Sequence, residues 1–256
     1  MALQDYYTLG TGEVFFGQFA DGTSNPRGER LFGNVPAFNL TASQEKLDHF
    51  SSMRGVRTKD ASVLLQLDYS GTMECDTISP ENLAVFFLGD SSTLTATSTP
   101  VAGEAIADIE KGLTYQVGTS STNPAGVRKI SAVTVKKGAT VLVAGTDYTV
   151  DLTLARLTIL TTSVTLANGD DLTVDYTIDA STRDRVISKS KTIEGSLRFV
   201  ASNPSGKLQD YFMPWVKVTP NGDFPLIGEE WLKMSFNVEV LKKGTLEALY
   251  IDGRPA

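Results

Sequence analysis

The chain has 256 residues, a net charge of −7 and a pI near 4.8. That length supports one large domain or two small ones, and the acidic balance lacks the basic face expected of a nucleic-acid-binding protein. A single cysteine, Cys75, excludes an intramolecular disulfide and a thiolate metal cluster.

The opening residues, MALQDYYTLGTGEVFFG, contain no basic segment followed by an apolar one. No stretch reaches the roughly 18 apolar residues of a membrane span. Synthesis in a cytoplasm, with no classical export and no membrane, is the expectation. Strands are predicted over 13–19 and 31–41. Next comes a charged connection at 43–59, covering most of QEKLDHFSSMRGVRTKD, with no structure of its own. Connections of that length are usually functional or disordered.

Residues 60–76 alternate. Ala61, Val63, Leu65, Leu67, Tyr69, Gly71, Met73 and Cys75 fall in one register, and Asp60, Ser62, Leu64, Gln66, Asp68, Ser70, Thr72, Glu74 and Asp76 in the other. A period of two with one polar register predicts a strand covered on one side only. A helix follows. Ser79 is placed as its N-cap, Pro80 as its first residue and Glu81 at the positive end of its dipole. Leu83, Phe86 and Phe87 form its apolar stripe, and Gly89 ends it.

The run SSTLTATSTPVAGE reads as a linker, with 102–111 a weak helix candidate. Short strands are then predicted at 113–118, 130–136, 140–143, 147–151, 156–161 and 171–178, with turns at Ala144-Gly145 and Asn168-Gly169. Long alternating strands resume at 185–200, where Ser190, Thr192, Glu194 and Ser196 share the polar register. They continue at 231–241, where Leu232, Met234, Phe236, Val238 and Val240 point inward, and end at 246–251. The fold class is therefore mainly β. We expect an antiparallel β-sandwich with a tube-forming sheet and one flanking α-helix over 1–92 and 184–256. A small all-β, immunoglobulin-like module is inserted at 93–183. The acid excess lies in the first segment, where residues 1–92 hold twelve acids and six bases.

Catalytic chemistry has little to stand on. His49 is the only histidine, so a Ser-His-Asp triad would have to use it, and no G-x-S-x-G elbow is present. Gly10-Thr11-Gly12 lacks the third glycine of a phosphate cradle, because Phe15 stands there. Asp170, Asp171 and Asp175 lack the turn glycines of a calcium loop and read as solvated turn acids. Lys136-Lys137 and Lys242-Lys243 read as edge protection. Trp215 and Trp231 read as core or interface packing. No catalytic residue, metal or cofactor is expected.

The block NVPAFNLTAS, QEKLDHFSSMRGVRTKD, VLLQLDYSGTMECD and ISPENLAVFFLG resembles the tail tube (major tail) proteins of long-tailed bacteriophages, across about 1–92 and 184–256. The resemblance implies a structural virion protein and no enzyme. Six copies would form a ring whose inner sheets close into a barrel. Rings would stack into the tail tube through which DNA is ejected. In that family a long hairpin loop reaches the neighbouring ring. By that analogy Glu45, Lys46, Leu47, Asp48, Phe50, Met53, Arg54, Arg57 and Lys59 form an inter-ring loop, their mixed charge and few apolar anchors suiting an interface. Gln66, Asp68, Ser70, Thr72 and Glu74, with Ser190, Thr192, Glu194 and Ser196, would line the lumen. Arg198 would sit near a ring edge, paired to an acid. The implied partners are further copies of the chain, the tape-measure protein, the tail-terminator and distal tail proteins, and DNA in transit only. The alternative is a phage baseplate or adhesin-like β-sandwich that binds at a surface.

Overall fold

The computed structural model describes residues 7–53 and 55–255. In chain order its elements are β1 (Gly12–Gln18), β2 (Arg30–Leu31), β3 (Ala37–Ser51), β4 (Thr58–Cys75), α1 (Pro80–Phe86), β5 (Asp90–Ala96), β6 (Thr99–Ile109), β7 (Thr114–Gln116) and β8 (Ile130–Lys137). They continue with β9 (Thr140–Val141), β10 (Tyr148–Asp151), β11 (Arg156–Ile159), β12 (Asp170–Ile178), β13 (Ser181–Ile187), β14 (Ile193–Ala201), β15 (Gln209–Pro220), β16 (Met234–Val240) and β17 (Tyr250–Gly253). The protein is mainly β, with antiparallel sheets and one helix among the described residues. The chain divides into two compact units, 1–92 with 185–256, and 93–184. β5 and β13 pair only with each other, where the chain passes between the units.

In the first unit hydrogen bonding joins the strands into one continuous eight-stranded sheet. Its order is β2-β1-β14-β15-β16-β4-β3, with β17 added to β15. β15 is the axis. It pairs with β14 along one edge, while its other edge pairs with β17 over 209–212 and with β16 over 216–220. Pro214 sits where the β14–β15 register slips, between the Gly195–Val216 and Leu197–Met213 pairs. A bulge is where a strand tolerates a residue with no N–H.

One face of this sheet is the core. Phe16, Phe32, Met73, Met213, Val216, Val218, Met234, Phe236 and Val238 are buried there against Val85 and Phe86 of α1. Phe236 meets Phe32 and Phe86 edge-on at 5.3 and 5.8 Å. The Ser79 hydroxyl accepts from the Asn82 N–H at 3.1 Å, as an N-cap should. Leu88, not Gly89, takes the left-handed turn at the helix end (φ 51). Gly89 is needed for a different reason: a Cβ there would lie 1.9 Å from the Ile187 carbonyl oxygen. Cys75 is fully buried, and burial pushes its thiol pKa up.

The second unit is itself a sandwich. A four-stranded sheet, β6-β12-β8-β9, and a three-stranded sheet, β10-β11-β7, enclose one core that includes Ile109, Val135, Leu157, Ile159, Leu172 and Val174. The supposed linker and weak helix are therefore strands. β5 covers 90–96, and β6 pairs with β12 along its length. Threonine-rich sequence favours strands as readily as loops, and pairing decides between them.

Asp147 is the buried anchor of this unit. Its carboxylate accepts from the Ser163 hydroxyl at 2.6 Å and from the Val143 N–H at 2.9 Å. These bonds, the Ser163 bond first, hold its pKa below the ordinary 3.8. A carboxylate with a depressed folded pKa contributes stability above its unfolded pKa and loses it as pH falls through the folded value. Asp147→Ala is expected to cost about 2 kcal/mol at neutral pH, because both donors lose their acceptor. The gap from wild type should shrink below about pH 4. Denaturant melts of both proteins at several pH values check this, and a gap that is constant with pH would refute it.

Candidate assembly interface

β3 and β4 pair from Ala37–Glu74 to Ser51–Thr58. β16 accompanies β4 only from Cys75 to Tyr69. Beyond Tyr69 the two strands continue alone as a ribbon, with the turn at 52–57. The predicted structureless connection at 43–59 is thus mostly paired strand. Every described residue from 41 to 68 is exposed except Ser51, which is half-buried. A two-stranded ribbon with no third strand is marginal in water. β3 also ends the sheet order, so its outer edge of unpaired N–H and C=O groups is open to another strand.

This arm exposes eight large apolar side chains: Leu47, Phe50, Met53, Val56, Val63, Leu64, Leu65 and Leu67. Met53 is 91% exposed and Val56 75%. Each contributes on the order of 1 kcal/mol once covered. Counting alternate residues puts Ala61, Val63, Leu65 and Leu67 on one face, and here the structure corrects the sequence. The register slips between Glu45 and Lys46 and again between His49 and Phe50, leaving Leu65 and Asp60 as extra residues on β4. Each bulge swaps the faces. Leu67 and Leu64 share one face with Gln44 and Lys46. Val63 and Ala61 share the other with Leu47 and His49. Both sides of the arm carry exposed apolar side chains among the polar ones.

The charged side chains of the arm are used locally. Asp48 accepts from Lys59 at 2.6 Å and from the Ser62 hydroxyl at 2.7 Å, and the Lys59 bond leads in holding its pKa below the ordinary value. His49 turns the other way and meets Asp60 at 2.5 Å. Asp48, His49 and Ser51 therefore do not converge as a triad. Arg57 lies over the Phe50 ring at 5.6 Å. Glu45 faces Gln66 across the ribbon, and Lys46 faces Leu64. Arg54 lies outside the described residues.

The face of the sheet opposite the core is polar. Gln66, Asp68, Ser70, Thr72 and Glu74 share it, because they pair in turn with Glu45, Ser43, Thr41, Asn39 and Ala37 with no bulge between. The row continues sideways through directly opposed residues, Ser70 to Glu239, Lys217 and Glu194. Glu194 thus belongs to the same polar face. Three expectations at 185–200 need correction. The strand breaks between β13 and β14, so Ser190 and Thr192 lie in the connection and not in a strand register. Ser196 is only 4% exposed, and its hydroxyl sits 2.7 Å from where a Cβ on Gly17 would be. Packing against β1 buries it. Arg198 pairs with Glu29 at 3.0 Å and stacks on Phe212 at 4.3 Å.

The other candidate groups are structural. Asp170 accepts from the Ala167 N–H and pairs with Lys137, and Asp175 pairs with Lys136 and accepts from the Gly103 N–H. Asp171 accepts from the Asp108 N–H. These aspartates brace turns and bulges with the paired lysines. Among the described residues no three His, Cys, Asp or Glu side chains gather as metal ligands would. No helix among them is long and apolar enough to cross a membrane.

A mainly-β chain with a self-contained sandwich inserted into it, and an exposed two-stranded arm, defines the class. The family model for the protein of unknown function UCP028589 matches residues 7–248, and the chain belongs to that family. No curated protein matches it.

Proposed function

We propose that the protein is a structural virion protein that assembles as stacked hexameric rings into a phage tail tube, the conduit for DNA ejection. The observation that carries this reading is the arm: a ribbon with exposed apolar side chains on both faces and an open edge, a surface suited to a second molecule. The polar, partly acidic face of the main sheet suits a lumen. A cationic wall would hold DNA by counterion release, whereas Asp68, Glu74, Glu194 and Glu239 would let it pass. Closure of the open β3 edge onto a neighbouring copy would remove the edge from water. The other partners would be the tape-measure, tail-terminator and distal tail proteins, and the location the virion tail. Light scattering and negative-stain microscopy of the purified protein test this. Rings or tubes are expected, and monodisperse monomers at every concentration would contradict it.

The inserted unit is expected to be dispensable for assembly. β5 and β13 pair, and the Thr93 hydroxyl lies 3.3 Å from Asp184, so the chain enters and leaves the unit side by side. A short Gly-Ser turn replacing 93–184 spans that gap, and exposed entry points tolerate such surgery. Polymer yield near wild type is expected. A folded product that fails to polymerise would show that the unit holds an essential contact.

A further inference from the structure

The loop between β15 and β16 contains a second apolar surface. Leu226, Ile227 and Trp231 are 82%, 95% and 91% exposed. Monomeric proteins seldom leave a leucine, an isoleucine and a tryptophan so open within one short loop unless something docks there. The pairing register fixes where this loop lies. It joins Pro220, opposite Phe236, to Met234, opposite Cys75, so it stands at the end of the sheet where β4 stops. The turn of the arm stands where β4 starts. An 18-residue strand separates them, roughly 55 Å at 3.3 Å per residue.

The two surfaces also complement one another in charge. Lys59 is already paired with Asp48, but residues 52–58 carry Arg54 and Arg57 and no acid, while 222–232 carry Asp223, Glu229 and Glu230 and no base. None of those three acids forms an ion pair among the described residues. A basic apolar tip at one end of a sheet and an acidic apolar loop at the other cannot satisfy each other within one subunit. Placed on different subunits, such a pair of surfaces would make a heterologous contact that repeats head to tail.

We infer that the acidic apolar loop at 222–232 is the receptor for the arm tip of a second copy of this chain. Met53 and Val56 pack on Ile227 and Trp231, and Arg57 faces Glu229 and Glu230. The inference rests on the tube reading and adds to it the surface that receives the arm.

Cross-linking tests the contact directly. Cys75 is buried, so new surface thiols react alone. Met53→Cys combined with Ile227→Cys, treated with a short bis-maleimide, is expected to give a ladder of dimers, trimers and longer chains. A mixture of the two single variants should stop at dimers, and each single variant alone should give none. In parallel, Arg57→Glu, or Glu229→Lys with Glu230→Lys, should cut polymer yield by about tenfold or more, and all three together should restore most of it. Wild-type tubes with no ladder and no rescue would overturn the docking inference and leave the tube reading standing. A wild type that forms neither rings nor tubes would overturn both.

Discussion

Removing the arm is expected to leave a folded subunit that no longer polymerises. The cleanest cut follows the register: delete 44–67 and join the opposed residues Ser43 and Asp68 through Asn-Gly. That dipeptide favours the two-residue hairpin turn whose twist matches the strands. Nothing in the deleted stretch contributes to either buried core. The unfolding free energy should therefore change little, by no more than about 1 kcal/mol, since exposed segments away from core and caps carry small effects. Assembly should fall below detection, because the deletion removes the eight exposed apolar groups together. A shortened protein that still forms tubes at normal yield would show that the arm serves another purpose. A shortened protein that does not fold would show that the arm helps hold the sheet.

Asn82→Ala should produce the largest loss of stability from a single side-chain truncation at a polar position. Asn82 is fully buried in α1. Its amide donates to the Phe32 carbonyl at 2.6 Å and to the Thr77 carbonyl at 2.9 Å, and its oxygen accepts from the Arg30 guanidinium at 2.7 Å. One side chain thus ties the helix to the segment after β2 and to the segment after β4. Truncation takes the amide donor from both carbonyls, leaving the Phe32 oxygen only the weak Cys75 thiol at 3.6 Å and the Thr77 oxygen that thiol and the Ser79 N–H. It also leaves the half-buried Arg30 only a long 3.5 Å contact to the Leu31 carbonyl and its stack on Phe32. Arg30 already has burial holding its pKa below the ordinary value, so it gains nothing from further isolation. The expected cost is about 3 kcal/mol or more, and for a unit of this size that lowers the thermal midpoint by roughly 6–12 °C. The N-cap should survive, since it uses the backbone N–H of Asn82. A denaturant series reading under about 1 kcal/mol would mean that water replaces the lost bonds.

Alternation along 231–241 and the Ser79-Pro80-Glu81 signature were legible in sequence because each is a local rule. Met234, Phe236 and Val238 are buried in the order the period demands. The short strands of the inserted unit were legible for the same reason, their turns being marked by glycine. β15 was not. Pro214 interrupts it and its apolar residues do not alternate cleanly, yet it is the axis of the sheet, because a bulge absorbs the proline and three neighbours share its edges. The arm was half legible. Its charges and apolar anchors stand out, but the bulges at Asp60 and Leu65 depend on pairing with β3 and leave no mark on β4 alone. Asn82 gave no signal either, since a helix-facing asparagine is recognised as a keystone only when the carbonyls it reaches are known. The loop at 222–232 was masked by a general rule. Tryptophan is usually packed, and Trp231 is not.

The most direct test of the central claim is a cryo-electron microscopy reconstruction of the polymer formed by the full chain. The tube reading predicts stacked six-fold rings around a hollow channel, with Asp68, Glu74, Glu194 and Glu239 on the inner wall and the arm crossing to the adjacent ring. Compact monomers at high concentration, or a tube with those four carboxylates on its outer wall and the arm folded within its own ring, would contradict it.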